Sequence, residues 1–139
     1  MKVFVDSNVI IDILAERKPF YENSYKIIQL GLENEIETIT GAGDITNIYY
    51  VIRKSLQDPV AAREKIFLIS NLVKICKSVP DDILNAIILF IPDFEDAVIA
   101  ATAKREKADF IVTRNTEDFE NSPVPAINPE DFLKRFFAA

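Results

Sequence analysis

Lys2-Val3-Phe4-Val5-Asp6-Ser7-Asn8-Val9-Ile10-Ile11-Asp12 changes its periodicity partway along. Val3, Phe4 and Val5 form a continuous apolar run, the pattern of a short strand buried on both faces. Polarity changes abruptly at Asp6. Ser7 and Asn8 can cap, and Val9, Ile10, Ile11, Ile13 and Leu14 begin a helical apolar pattern. A carboxylate at the end of a buried parallel strand, just before a helix, lies at the edge where open α/β sheets hold their ligands. A simple capping role for Asp6 is the alternative at this point.

The same alternation continues through the chain. Arg17-Lys18-Pro19-Phe20 is a break, with Pro19 suited to a first helical turn, and a helix then runs to about Glu33. Glu35 to Thr40 alternates apolar and polar residues and reads as a strand. Gly41-Ala42-Gly43 reads as a flexible turn, and Asp44 or Thr46 as a cap for a helix over 45–56. Further helices are predicted over 60–71 and from Pro80 to about Phe90, with a short strand at Val73 to Cys76 between them. Ile91 to Asp96 turns into a helix rich in small residues (Ala97, Ala100, Ala101, Thr102, Ala103), which allows close approach to a sheet. Asp109 to Thr113 is a second buried strand, ending in the polar run Arg114-Asn115-Thr116-Glu117-Asp118-Phe119. A proline-rich loop with a short edge strand at Ala126-Ile127 leads to a last helix over 130–137. Strands alternating with helices predict a three-layer α/β/α architecture around a central, mostly parallel sheet, with residues 1–139 as a single domain.

Composition narrows the chemistry. The chain has no histidine, one cysteine and three glycines among its 139 residues. Ser-His-Asp and Cys-His catalysis and His-based zinc sites are therefore excluded, and no P-loop or dinucleotide fingerprint is present. Cys76, in an apolar context, reads as a buried inert thiol. Carboxylates, hydroxyls, Lys and Arg remain, an inventory that suits a hard cation such as Mg²⁺ or Mn²⁺. The net charge of −6 argues against tight nonspecific nucleic-acid binding, which depends on neutralising phosphates. It leaves open a nuclease centred on a metal. No apolar run is long enough to span a bilayer, and Met1-Lys2-Val3 lacks a signal-peptide pattern; a cytoplasmic location is expected.

Two parallel strands ending at Asp6 and at Thr113 would bring their polar ends to one edge, with the helix near Glu95-Asp96 starting beside them. Acids gathered there repel one another unless a cation compensates, which argues for a bound metal. Such a site suits phosphodiester hydrolysis by an activated water.

Four stretches in order carry a resemblance: the strand ending Asp6-Ser7-Asn8, then Ile45-Thr46-Asn47-Ile48-Tyr49-Tyr50-Val51-Ile52-Arg53-Lys54, then Asp93-Phe94-Glu95-Asp96-Ala97, then Ile111 to Phe119. Together they resemble the PIN domain family, which includes the VapC toxins of toxin–antitoxin pairs. The resemblance spans nearly the whole chain. It implies a metal-dependent ribonuclease using Mg²⁺ or Mn²⁺, an RNA substrate, a cognate antitoxin and a homodimer. It implies site roles for Asp6, Asp96, Asp118, Asn115 and Asn47, with Asp6, Asp96 and Asp118 as metal ligands. Asn115 and Asn47 stand where many members carry an acid, so two formal negative charges are missing. Asp44, Glu95 and Asp118 are the nearby acids able to compensate.

These departures support a second reading, a PIN-fold module that binds RNA or a protein without cutting. A phosphoaspartyl enzyme, suggested by Asp6 and Asn8 alone, lacks the second aspartate and the lysine it needs. Arg17, Lys18, Arg53, Lys54 and Arg114 are candidates for an RNA groove, with Arg114 nearest the site. Tyr49, Tyr50, Phe20 and Tyr21 are expected chiefly in the core or at a subunit interface.

Overall fold

The computed structural model describes residues 1–138. Five strands, β1 (Lys2–Val5), β2 (Glu37–Gly41), β3 (Lys74–Cys76), β4 (Phe110–Val112) and β5 (Ala126–Ile127), form one sheet in the order β3-β2-β1-β4-β5. Every pairing is parallel, a stricter result than the mostly parallel sheet expected. The strands are linked by α1 (Ser7–Leu14), α2 (Tyr21–Leu32), α3 (Ala42–Leu56), α4 (Pro59–Leu72), α5 (Pro80–Ile87) and α6 (Phe94–Arg105). A short 3₁₀ turn at Thr116–Phe119 and α7 (Pro129–Ala138) complete the chain.

The layers follow from strand alternation. Val3 and Val5 point into one core with α1, α2, α3, α4 and α7, where Ile10, Ile28, Ile52, Ile69 and Phe132 are buried. Phe4, Ile39 and Ile111 point into a second core against α5 and α6. The result is the expected α/β/α arrangement, with β1 in the middle of the sheet. In α6 the small residues Ala97, Ala100, Ala101 and Ala103 are all buried, and the helix lies against the sheet.

Several boundaries differ from expectation. Gly41-Ala42-Gly43 is not a turn: Gly41 ends β2 and is also the N-cap of α3, which starts at Ala42. Asp44 and Thr46 therefore lie inside the helix, and the Asp44 carboxylate reaches back to the backbone N–H of the Gly41 cap. The helix from Pro80 ends at Ile87, three residues short of Phe90. Pro59 and Pro80 each open a helix, while Pro129, expected to end a loop, opens α7, and Pro19 lies just ahead of the Phe20 cap of α2. Cys76 is buried, and burial pushes its thiol up to about 11, so it is protonated at neutral pH. Among the described residues no helix is long and apolar enough to cross a membrane.

Candidate metal centre at the carboxyl edge of the sheet

The register of the sheet assembles the site. Phe4 is level with Ile39 on β2 and Ile111 on β4. Two residues further on, the same face presents Asp6, Gly41 and Thr113 at the carboxyl ends of three adjacent strands. Phe4 faces α6, so these positions face α6 as well, and its N-terminus brings Asp96 to the same edge.

Asp6 is 4% exposed and in extended conformation. Its Oδ1 accepts the Ser7 backbone N–H at 2.7 Å, which caps α1. Its Oδ2 accepts the Thr113 hydroxyl at 2.8 Å. The capping and site readings of Asp6 are thus compatible, since one carboxylate has lone pairs for both. Burial pushes its pKa above the usual carboxylate value, while the Thr113 and Ser7 bonds pull against that shift.

Thr113 is fully buried and its hydroxyl is saturated. Besides donating to Asp6 it accepts Asn8 Nδ2–H at 3.2 Å and the Asn115 backbone N–H at 3.1 Å. Asn8 Oδ1 in turn accepts the Arg114 N–H at 3.3 Å. Asn8 thus fastens the end of β4 to the start of α1. Thr113 was read from sequence only as a strand end, and its place as the hub of these bonds was missed.

Asp96 lies in the first turn of α6, half-buried, and its N–H bonds to the Asp93 cap at 3.0 Å. Burial, then the charges of Asp93, Asp6, Asp118 and Glu95, push it up to about 7. Asp44, half-buried in the first turn of α3, is also pushed up to about 7, by burial and then by Asp6, Glu95 and Asp96. Asp118 sits on the 3₁₀ turn, which buried Phe119 pins to the second core; its charge acts on both Asp6 and Asp96. Four segments of chain thus bring carboxylates into mutual electrostatic reach.

Both amides are exposed at the border of this group. Asn115 is exposed and its backbone carbonyl accepts the Asp118 N–H at 3.0 Å. Asn47 is exposed and lines a cavity of about 700 Å³ between α3, α5 and α6, with Asp44, Tyr50, Ile83, Phe94 and Glu95. Tyr50 is exposed, outside the core. Arg114 is committed elsewhere: its Nε donates to buried Asp12 at 2.6 Å, its Nη2 to the same carboxylate at 3.2 Å, and its guanidinium covers the Phe20 ring at 4.2 Å. It braces the loop after β4 instead of offering a free cation to a groove.

The donor chemistry fits a hard divalent cation. The charged groups gathered at this edge are carboxylates, and their repulsion is what a cation relieves. Among the described residues no group of three or more acids is already placed to hold a metal ion. Mg²⁺ requires no such group, because it keeps several waters and takes one or two carboxylates directly.

Residues 2–117 match a family model described as PIN domain. The chain is 31% identical over 140 residues to Ribonuclease VapC1 of Aquifex aeolicus (strain VF5), covering 97% of this chain and 95% of that protein. Among solved structures it is similar to VapBC2 from Rickettsia felis bound to a DNA fragment from its promoter. That match has a TM-score of 0.76 at 18% identity, over 92% of this chain and 98% of the other. It is also similar to VapBC-1 from nontypeable Haemophilus influenzae, with a TM-score of 0.69 at 17% identity, over 94% and 99% of the two chains.

Proposed function

The chain belongs to the PIN domain family, and from that premise we propose that it is a metal-dependent endoribonuclease, the toxin of a toxin–antitoxin pair. One observation carries the reading: Asp6 at the end of β1, Asp96 opening α6 and Asp118 on the 3₁₀ turn gather at one sheet edge, where the charges of Asp6 and Asp118 push Asp96 up.

Asp6, Asp96 and Asp118 would hold Mg²⁺ or Mn²⁺, which when bound supplies an activated water and charge stabilisation at the scissile phosphate. The chain's own residues prepare that site. Thr113 and Ser7 fix the Asp6 carboxylate before any ligand arrives. The α6 dipole favours the anionic form of Asp96. Asn115, exposed beside Asp118, offers an amide to the RNA backbone. With a net charge of −6 and Arg114 tied to Asp12, phosphate attraction falls chiefly to the bound cation.

A cognate antitoxin and a homodimer both need apolar contact area. Ile83, Leu84, Ile87 and Ile88 and the neighbouring Phe90 are exposed along and just after α5, which supports protein partners there.

The test is cleavage of a mixed RNA panel with Mg²⁺ or Mn²⁺. Activity is expected to vanish with EDTA and in Asp96→Asn, which keeps its fold by circular dichroism. Undiminished cleavage by Asp96→Asn would sink the assignment of the site. A folded wild type that binds the panel but never cuts would favour the non-cleaving module.

A further inference from the structure

Position 47, where the family pattern has an acid on α3, carries a neutral, exposed Asn in this chain. One turn earlier Asp44 folds back toward the sheet. A Cβ added to Gly41 would lie 2.8 Å from the Asp44 Oδ2, and its next nearest contact, Phe4 Cζ, is at an ordinary 3.6 Å. Gly41 has φ −83° and ψ 142°, a conformation open to any residue. What the missing side chain provides is therefore room, and the Asp44 carboxylate occupies it. Gly41 is level with Asp6 on the adjacent strand, and adjacent strands run about 5 Å apart. The charges of Asp6 and of Asp96, on α6, accordingly act on the Asp44 carboxylate.

We propose that Asp44, seated against Gly41 beside Asp6, supplies the α3 carboxylate of the cation site in place of residue 47. The inference rests on the reading of this edge as a metal centre, and it adds a ligand that the family pattern does not assign. It also explains why the loss of charge at position 47 is tolerable: the carboxylate has moved one turn toward the helix N-terminus. The Asp44 carboxylate also bonds the backbone N–H of the Gly41 cap, which fixes its direction toward the sheet edge.

The experiment is titration of the purified full chain with Mn²⁺ by calorimetry, with the melting temperature of each variant recorded in EDTA. Asp44→Asn should weaken Mn²⁺ binding by about tenfold or more, because hard-cation affinity follows ligand charge. Gly41→Ala keeps every charge but fills the seat, and should weaken binding comparably. Asn47→Ala should cost less than about twofold, as loss of a neutral exposed amide. The metal-free melting temperature of Asp44→Asn should rise, since a repelling charge is removed; a purely structural N-terminal acid would lower it. Wild-type affinity in Asp44→Asn alongside lost affinity in Asp96→Asn would overturn the role of Asp44 and leave the metal centre standing. Absence of Mn²⁺ binding by folded wild type would overturn both.

Discussion

Thr113 shows how much one hydroxyl can hold at this edge. It joins Asp6, Asn8 and the backbone of residue 115, so the ends of β1 and β4 share one oxygen. Thr113→Val preserves shape but leaves a buried carboxylate short of a donor. A loss of about 1–2 kcal/mol in urea denaturation at pH 8 is expected, with Thr113→Ser close to wild type. Equal stability of the Val and Ser variants would show that the bond is dispensable. At this scale the sequence is only partly legible. Asp6, Asp96 and Asp118 could be singled out because each follows a strand or opens a helical turn. Thr113 and the Asp12–Arg114 pair could not, because their partners lie more than a hundred residues away and nothing local marks them.

Among the elements, β1, β4 and α6 were readable because burial on both faces leaves an uninterrupted apolar or small-residue run. The start of α3 was not. Two glycines around Ala42 carry the punctuation of a turn, yet Gly41 is there for space beside Asp44, and the helix starts at once. In α5 the sequence predicted a helix but not its exposure: Ile88 is 73% exposed and Phe90, just beyond, 85%. An apolar face of that size on so short a helix favours association. Leu84→Asp combined with Ile87→Asp is expected to shift the chain toward monomer in analytical ultracentrifugation at fixed concentration. An unchanged sedimentation coefficient would move the contact face elsewhere.

For the molecule as a whole, the acidic edge sets the pH dependence of stability. Asp44 and Asp96 are raised from 3.8 to about 7 in the folded chain. Between those values the folded state holds protons that the unfolded state has released, so stability falls as pH rises, reaching its low plateau above about 7. Asp82 acts oppositely: its burial is outweighed by its bonds to Arg105, its pKa is lowered, and its contribution is complete by about pH 5. In EDTA the melting temperature should therefore decline from pH 5 to pH 8. Added Mg²⁺ should raise it more at pH 8, where the carboxylates are charged, than at pH 5. A flat metal-free profile across that window would contradict the clustering of the acids.

The all-parallel order has a consequence for how the chain is made. β1 leaves the ribosome ahead of the other four strands of the sheet, yet its neighbour β4 follows only after residue 109. Until then Asp6 has no Thr113 to hold it and the central strand lacks one flank. Pairing across such a separation closes late. A nascent chain therefore carries Asp6, Asp44 and Asp96 without the strand that completes their edge, and the finished site waits on the emergence of β4.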